Sequence, residues 1–199
     1  MSTPDAATVA GAARSTSTRV AVFAAYAAQG LGYAVVVTSL PALKQRQGVD
    51  DTVVTLIVLG VAIAAAGGSV LANALAVRFG SRTALVVGLL LQAAALPAIA
   101  LPTPFPLFVS LFAVYGIGLG CVDAATAMQG VIVQRAHGKP LLGGFFSAYT
   151  AAATAGALLV SAIAASPFAA GVAIGTAGVA ILVVAVVGIR LFAREVPIE

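Results

Sequence analysis

A chain of 199 residues with 61% hydrophobic and only 8% charged residues lies far from soluble domains, in which roughly a quarter of residues are charged. Its mean hydropathy of +1.12 leaves too little polar surface to cover a water-soluble fold, so the lipid bilayer is its expected solvent. The net charge of +4 does not indicate nucleic-acid binding, because the basic residues lie in pairs between apolar runs. The single Cys121 excludes an intrachain disulfide, and no Cys/His cluster is available for a metal.

Residues 1–18, rich in Ala, Ser and Thr with Pro4, Asp5 and Arg14, read as a disordered cytoplasmic tail. No apolar run precedes a small-residue cleavage site, which argues against a cleaved signal peptide. A membrane-crossing helix needs about 20 predominantly apolar residues. Residues 20–41 supply the first span, ending near Pro41, and residues 52–77 the second. The uncharged stretch 83–122 is too long for one span. Pro97, Pro102, Pro104 and Pro106 break it into a third span, 83–100, and a fourth, 106–131. The stretch 141–189 divides at Ser166-Pro167 into a fifth span, 141–165, and a sixth, 167–191. The expected fold is an all-α membrane protein: six transmembrane helices over residues 19–194 and a short cytoplasmic end at 195–199.

Cytoplasmic loops carry the excess of Lys and Arg. Arg14 and Arg19, Arg78 and Arg82, Arg135 and Lys139, and Arg190 and Arg194 all fall on one side if the N-terminus is inside. The other side has only Lys44 and Arg46, beside Asp50 and Asp51. Both termini are therefore expected in the cytoplasm.

Polar residues concentrate on particular faces. Tyr26, Gln29 and Tyr33 share one face of span one at helical spacing. Ser69 and Asn73 lie four apart in span two, and Tyr115, Asp123 and Thr126 fall on one side of span four. Ser147, Thr150, Thr154 and Ser161 follow helical spacing along span five, whereas span three has only Gln92 and span six only Thr176. Spans one, two, four and five are thus candidates to line a cavity, with three and six as lipid-facing support. Hydroxyls in membrane helices also bond their own backbone or a neighbouring helix, so the stripe of span five fits packing as well as lining. The pairs Gly30/Gly32, Gly67/Gly68 and Gly143/Gly144 are expected to allow close helix contact. Asp123 stands apart as the sole ionisable residue within a span. Such residues face a bundle interior or water and mark transport or proton pathways. The competing reading is a neutral acid bonded to a neighbouring helix. No basic residue lies at its depth, so an ionic partner has to come from elsewhere.

The loop between spans two and three, Asn73-Ala-Leu-Ala-Val-Arg78-Phe-Gly80-Ser-Arg82, resembles the Gly-x-Leu-Ala-Asp-Arg-x-Gly-x-Arg signature of the major facilitator superfamily. Asn73 replaces its first Gly and Val77 its Asp. Gly80 would allow the tight turn, with Arg78 and Arg82 at the cytoplasmic interface. A second segment, Gly118-Leu-Gly-Cys-Val-Asp123 followed by Gly138-Lys-Pro140-Leu-Leu-Gly-Gly-Phe-Phe146, is similar to the fucose-permease-like branch, as is Ser39-Leu-Pro41 through Asp50. Asp123 falls on that branch's acid position, which implies a role in proton coupling. Ala127 and Phe146 stand where Asn and His are often found. The resemblance runs from Arg19 onward and covers the N-terminal six-helix half of a normal member. It implies half of a major facilitator fold, two inverted three-helix units, in a bacterial plasma membrane.

That resemblance implies a secondary transporter, a proton symporter of a sugar or other small polar metabolite, present as one half. Its substrate site would need a second six-helix half or a parallel homodimer. The alternatives are a truncated inactive fragment and a non-transporting membrane subunit. An intramembrane serine protease is disfavoured because no membrane His or Gly-x-Ser-x-Gly-like nucleophile is present. Gly116-x-Gly-x-Gly120 lies inside a span and is not a nucleotide loop; no cofactor is expected. His137 reads as a solvated loop residue.

Overall fold

A computed structural model describes the backbone of residues 6–166 and 168–193, with side chains from residue 16 onward. Residues 1–5 of the expected tail, the side chain of Arg14, Pro167 and the segment from Arg194 lie outside the described residues. Six helices follow in order: α1 Ala6–Gln47, α2 Asp51–Phe79, α3 Ser81–Ala100, α4 Phe105–His137, α5 Leu142–Ile163 and α6 Ala169–Leu191. No strand occurs among the described residues. All six helices hold a stretch long and apolar enough to cross a membrane, that of α1 beginning at Thr16.

Local chemistry sets where these helices begin and end. Asp50 caps α2 by accepting the backbone N–H of Val53 at 2.9 Å. Gly80, at φ 86°, is the single residue between α2 and α3, and this positive φ explains the glycine in that loop. The observed bounds differ from the expectation at both ends of α1 and at the end of α4, which runs to His137 instead of residue 131. The first helix starts at Ala6, so residues 6–18 continue it instead of forming a tail; this Ala-rich stretch contains no proline to stop it. Pro97 and Pro41 also lie inside helices, α1 running on to Gln47, whereas the break after α3 falls at Leu101–Pro104, at the expected end of the third span. A proline's missing hydrogen bond is tolerated in membrane helices with close neighbours. At Pro97 that neighbour is α6, where a Cβ added to Gly178 would lie 2.8 Å from the ring.

The helix contacts are nearly unchanged when the first three helices are exchanged for the last three. The helix α2 packs chiefly on α4, as α5 does on α1. Similarly α3 packs on α4 as α6 packs on α1, and α3 and α6 pack on each other. The two strapping contacts are backbone-close. A Cβ on Gly120 would run into the backbone of Ala65 in α2, one on Gly68 into the Ile117 carbonyl of α4, and one on Gly30 into the Tyr149 carbonyl of α5. Gly67 and Gly143 face open space instead, because they lie on the outward sides of α2 and α5.

Polar clasps join three helices at each end. At one end the Arg46 guanidinium donates to the carbonyls of Ile99 (2.7 Å) and Ala100 (2.8 Å) at the end of α3 and lies over the Phe108 ring of α4. These are carbonyls that a helix C-terminus leaves without intrahelical donors. Beside it Lys44 pairs with Asp51 at 2.6 Å. At the other end Gln129 of α4 donates to Ser81 Oγ (2.8 Å) and the Ala193 carbonyl, and accepts from the Ala193 N–H.

Replacing Gly120 by Val should separate α2 from α4 and lower the melting temperature of the detergent-solubilised protein by several degrees, an overpacking cost of roughly 1–3 kcal/mol or more. Gly67→Ala, which meets nothing within 4 Å, should leave it unchanged; thermal melts followed by size-exclusion chromatography compare the two.

Candidate functional site

Asp123 lies within α4, 18 residues from its first residue and 14 from its last, about 20–27 Å from either end at 1.5 Å per residue. Its carboxylate opens onto the outside of the bundle. The basic partner sought in the sequence is replaced by a neutral one: Gln29 of α1 donates to Asp123 Oδ1 at 2.8 Å and to the Leu119 carbonyl at 3.3 Å. Gln29, 2% exposed, is in turn held by Gln92 of α3, which donates to Gln29 Oε1 at 2.7 Å. Gln92 is fully buried, and its own Oε1 has no hydrogen-bond partner. A chain of amides thus runs from α3 through α1 to the acid on α4, Gln92 donating to Gln29 and Gln29 to the carboxylate. An ionised carboxylate accepts only, and this direction satisfies it.

Gln29, Asp123, Tyr26, Thr126, Ala127, Phe146 and Tyr149 enclose a recess of about 250 Å³. The helices α1, α4 and α5 build it. The close approach of Gly30 to the Tyr149 backbone brings α5 against α1. Tyr26 stacks on Phe145 with ring centroids 5.4 Å apart and meets Phe146 at a steep angle at the same distance. The Thr126 hydroxyl lies against the carbonyls of Val122 (2.7 Å) and Asp123 (3.1 Å) of its own helix.

The other candidate residues distribute as follows. Tyr33 is exposed on α1, at the open surface but outside the recess lining. Tyr115 is buried in the bundle, with its hydroxyl unpartnered. Asn73 is exposed on α2, away from the recess. Ser147, Thr150 and Thr154 are exposed on α5, each donating to the carbonyl four residues earlier at 2.9–3.0 Å. Arg78, lying over the Phe79 ring, Gly80 and Arg82 line a groove at the α2–α3 turn. Of two residues that complete the site, one escaped the sequence reading and the other was seen without its partner. Tyr149 lies one position from Thr150, off the hydroxyl stripe. Gln92 was visible as the lone polar residue of span three, but not its bond to Gln29. The division into lining and support shifts accordingly: α3 supplies the buried amide behind the acid, and α2 supplies nothing to the recess.

Six membrane-crossing helices in two matching three-helix units, with one acid on an uncovered face, have the architecture of half a two-part membrane transporter. Residues 22–199 match the family model described as Major Facilitator Superfamily, and the chain belongs to that superfamily, a family of transporters rather than enzymes. It is 30% identical over 154 residues to a Yersinia pestis protein described as an uncharacterized MFS-type transporter. That match covers 77% of this chain and 39% of the relative, so the chain spans less than half the length of the curated relative it matches. No solved structure matches it.

Gln92→Leu should strip the buried Gln29 carbonyl of its donor and destabilise the solubilised protein by about 1–3 kcal/mol. In a Gln29→Leu background the same change should cost less, since the shared bond is already gone. A double-mutant cycle of unfolding free energies in detergent measures the difference.

Proposed function

We propose that this chain forms one half of a proton-coupled secondary transporter for a small solute, within the fucose-permease-like branch, with Asp123 as the coupling residue. It lies in the bacterial plasma membrane with both termini in the cytoplasm, as the clustering of Arg19, Arg78, Arg82, Arg135, Lys139 and Arg190 at one set of helix ends supports. The reading rests above all on the Asp123 carboxylate, which lies deep in the membrane-crossing part, bonded to a neutral amide and open to a recess. An acid at this depth without a counter-ion exists at a cost that function has to justify.

The uncovered helices argue for a second wall. Only 6% of the apolar stretch of α2 and 11% of that of α5 is buried, against 50–56% for α1, α3 and α4. The α5 surface beside the recess carries Ser147, Thr150 and Thr154 with their hydroxyls bonded internally, which suits close helix packing. A parallel second copy or another six-helix half would close the recess from that side. The motif residues Arg78, Gly80 and Arg82 form the cytoplasmic turn of this half, and Tyr33 extends the wall beyond the recess.

The test is solute-dependent proton movement in proteoliposomes loaded with a pH-sensitive dye, over a panel of small solutes, with the oligomeric mass measured on the same preparation. Asp123→Asn should reduce proton movement to the level of empty vesicles while leaving mass and melting temperature unchanged. Identical traces for wild type and Asp123→Asn would sink the coupling role and favour a non-transporting subunit.

A further inference from the structure

The chemistry of the recess selects a ligand class. A sugar needs several hydrogen-bonding side chains, because each hydroxyl buried without a partner costs about 1–3 kcal/mol. Here the Gln29 amide is committed to Asp123, Leu119 and Gln92. The Thr126 hydroxyl is turned onto its own helix, and Ala127 and Phe146 present no polar atom. What remains is one carboxylate, the phenols of Tyr26 and Tyr149 and the ring of the 57% exposed Phe146. The Tyr26 hydroxyl is buried, so Tyr149 alone adds a hydroxyl to the carboxylate, too few polar groups for the several hydroxyls of a sugar. A carboxylate beside aromatic rings is the combination that holds an organic ammonium: the acid supplies the opposite charge and the ring faces supply cation–π attraction.

The surroundings of Asp123 support this. Its neighbours are Gln29 and Tyr26 on α1, Tyr115 on its own helix, Tyr149 on α5 and, behind Gln29, the neutral Gln92 of α3. No Lys, Arg or His among the described residues bonds to it or lines the recess. An unpaired charge at this depth is costly, so the carboxylate is neutralised either by a proton or by a cationic ligand. Its distance from both helix ends, about 20–27 Å, places it beyond the reach of a lipid headgroup and leaves a free solute as the source of the ammonium. The recess, about 250 Å³, lies at the low end of ligand sites, roughly 300–1,000 Å³, so the part of the ligand it holds is small.

We infer that the recess binds a small organic monocation, with Asp123 as its counter-ion and Phe146 and Tyr149 as its aromatic walls, and that the cation and a proton compete for the same carboxylate. In the balanced step, the protonated carboxyl gives its proton to solvent as the cation enters. One positive charge leaves and one arrives, which makes the half a cation/proton exchanger. The inference rests on Asp123 being the coupling residue proposed above, and it replaces the sugar by a cation.

The probe is radiolabelled benzyltrimethylammonium, whose quaternary nitrogen has no N–H and isolates charge and cation–π attraction. Equilibrium dialysis against the full chain in detergent, from pH 5 to 8, should show saturable binding that strengthens by up to about tenfold per pH unit while the carboxyl is protonated, with protons released on binding. Asp123→Asn should weaken it by about tenfold or more, and Phe146→Leu, at an exposed position, by about threefold to tenfold. Unlabelled hexose should not compete. Cation affinity that is independent of pH and unchanged in Asp123→Asn, or displacement by hexose, would overturn the inference. If the cation does not bind but hexose evokes Asp123-dependent proton movement in vesicles, only the ligand class fails. If neither assay depends on Asp123, the coupling role fails with it.

Discussion

A carboxylate placed among apolar helices has to be solvated by protein, and the arrangement of this bundle around Asp123 follows from that need. Gln29 can reach it only because α1 and α4 meet at the level of the acid, and Gln29 is itself held by Gln92 from α3. Three helices are therefore tied together at one depth by two hydrogen bonds. In a low-dielectric interior such bonds are stronger than in water and an incomplete network is expensive. The unpartnered Oε1 of Gln92 marks the end of the chain, so the whole polar path leads toward the acid. Charge on the carboxylate would strengthen the 2.8 Å bond from Gln29, and a proton would weaken it. The protonation state of the acid is thereby felt as far as α3.

The near-twofold pattern of contacts explains why the acid faces outward. The helices α1 and α4 take equivalent places, each strapped by the helix of the other unit, α5 and α2, through glycine contacts. Backbone-close straps leave no room for side chains on the strapped side, so the bulky residues of α2 and α5 project away from the bundle: Leu56, Leu59, Ile63 and Val70 on α2, Leu158 and Leu159 on α5. Hydrophobic burial supplies little net drive between helices in lipid, and small residues that permit close approach are the usual alternative.

Much of this was legible in the sequence, because the features concerned are local. Helix number follows from apolar length, the α2–α3 turn from Gly80, and the singular status of Asp123 from its being the one charged residue away from the ends of a span. Features that depend on neighbours were not legible. Pro97 read as a breaker because sequence does not reveal that Gly178 of α6 receives its ring. The hydroxyls of α5 carried the same helical spacing whether they lined a cavity or bonded their own backbone, and their bonds to the carbonyls four residues earlier emerge only from the geometry. Gly67 and Gly68 are adjacent and chemically identical, yet only Gly68 meets another helix; the rotation of α2 about its axis decides that. Gln92 was noticed as solitary, but a bond across 63 positions leaves no trace in local spacing.

The polar ties also constrain how this half can move. One set lies at each end, Arg46 on the carbonyls of Ile99 and Ala100 and Gln129 on Ser81 and Ala193, and the Gln29–Gln92–Asp123 set lies between them. The helices α1, α3 and α4 are joined at two of these levels, and α6 is added to α3 and α4 at the third. Bending any of these helices would break hydrogen bonds, those of Gln92 to Gln29 and Gln129 to Ser81 being buried, at a cost of about 1–3 kcal/mol for each buried one. By contrast, α2 and α5 have their outer faces uncovered, and α5 makes little contact with its neighbours in sequence. Alternating access in two-part transporters is largely a rocking of one unit against the other around a fixed site. A half clasped at three depths suits the rigid side of such a motion, and displacement between two halves would occur along the surface formed by α2, α5 and the mouth of the recess. Asp123 lies on that mouth, so in the proposed two-part transporter the coupling acid would also be the group that a moving partner exposes or covers.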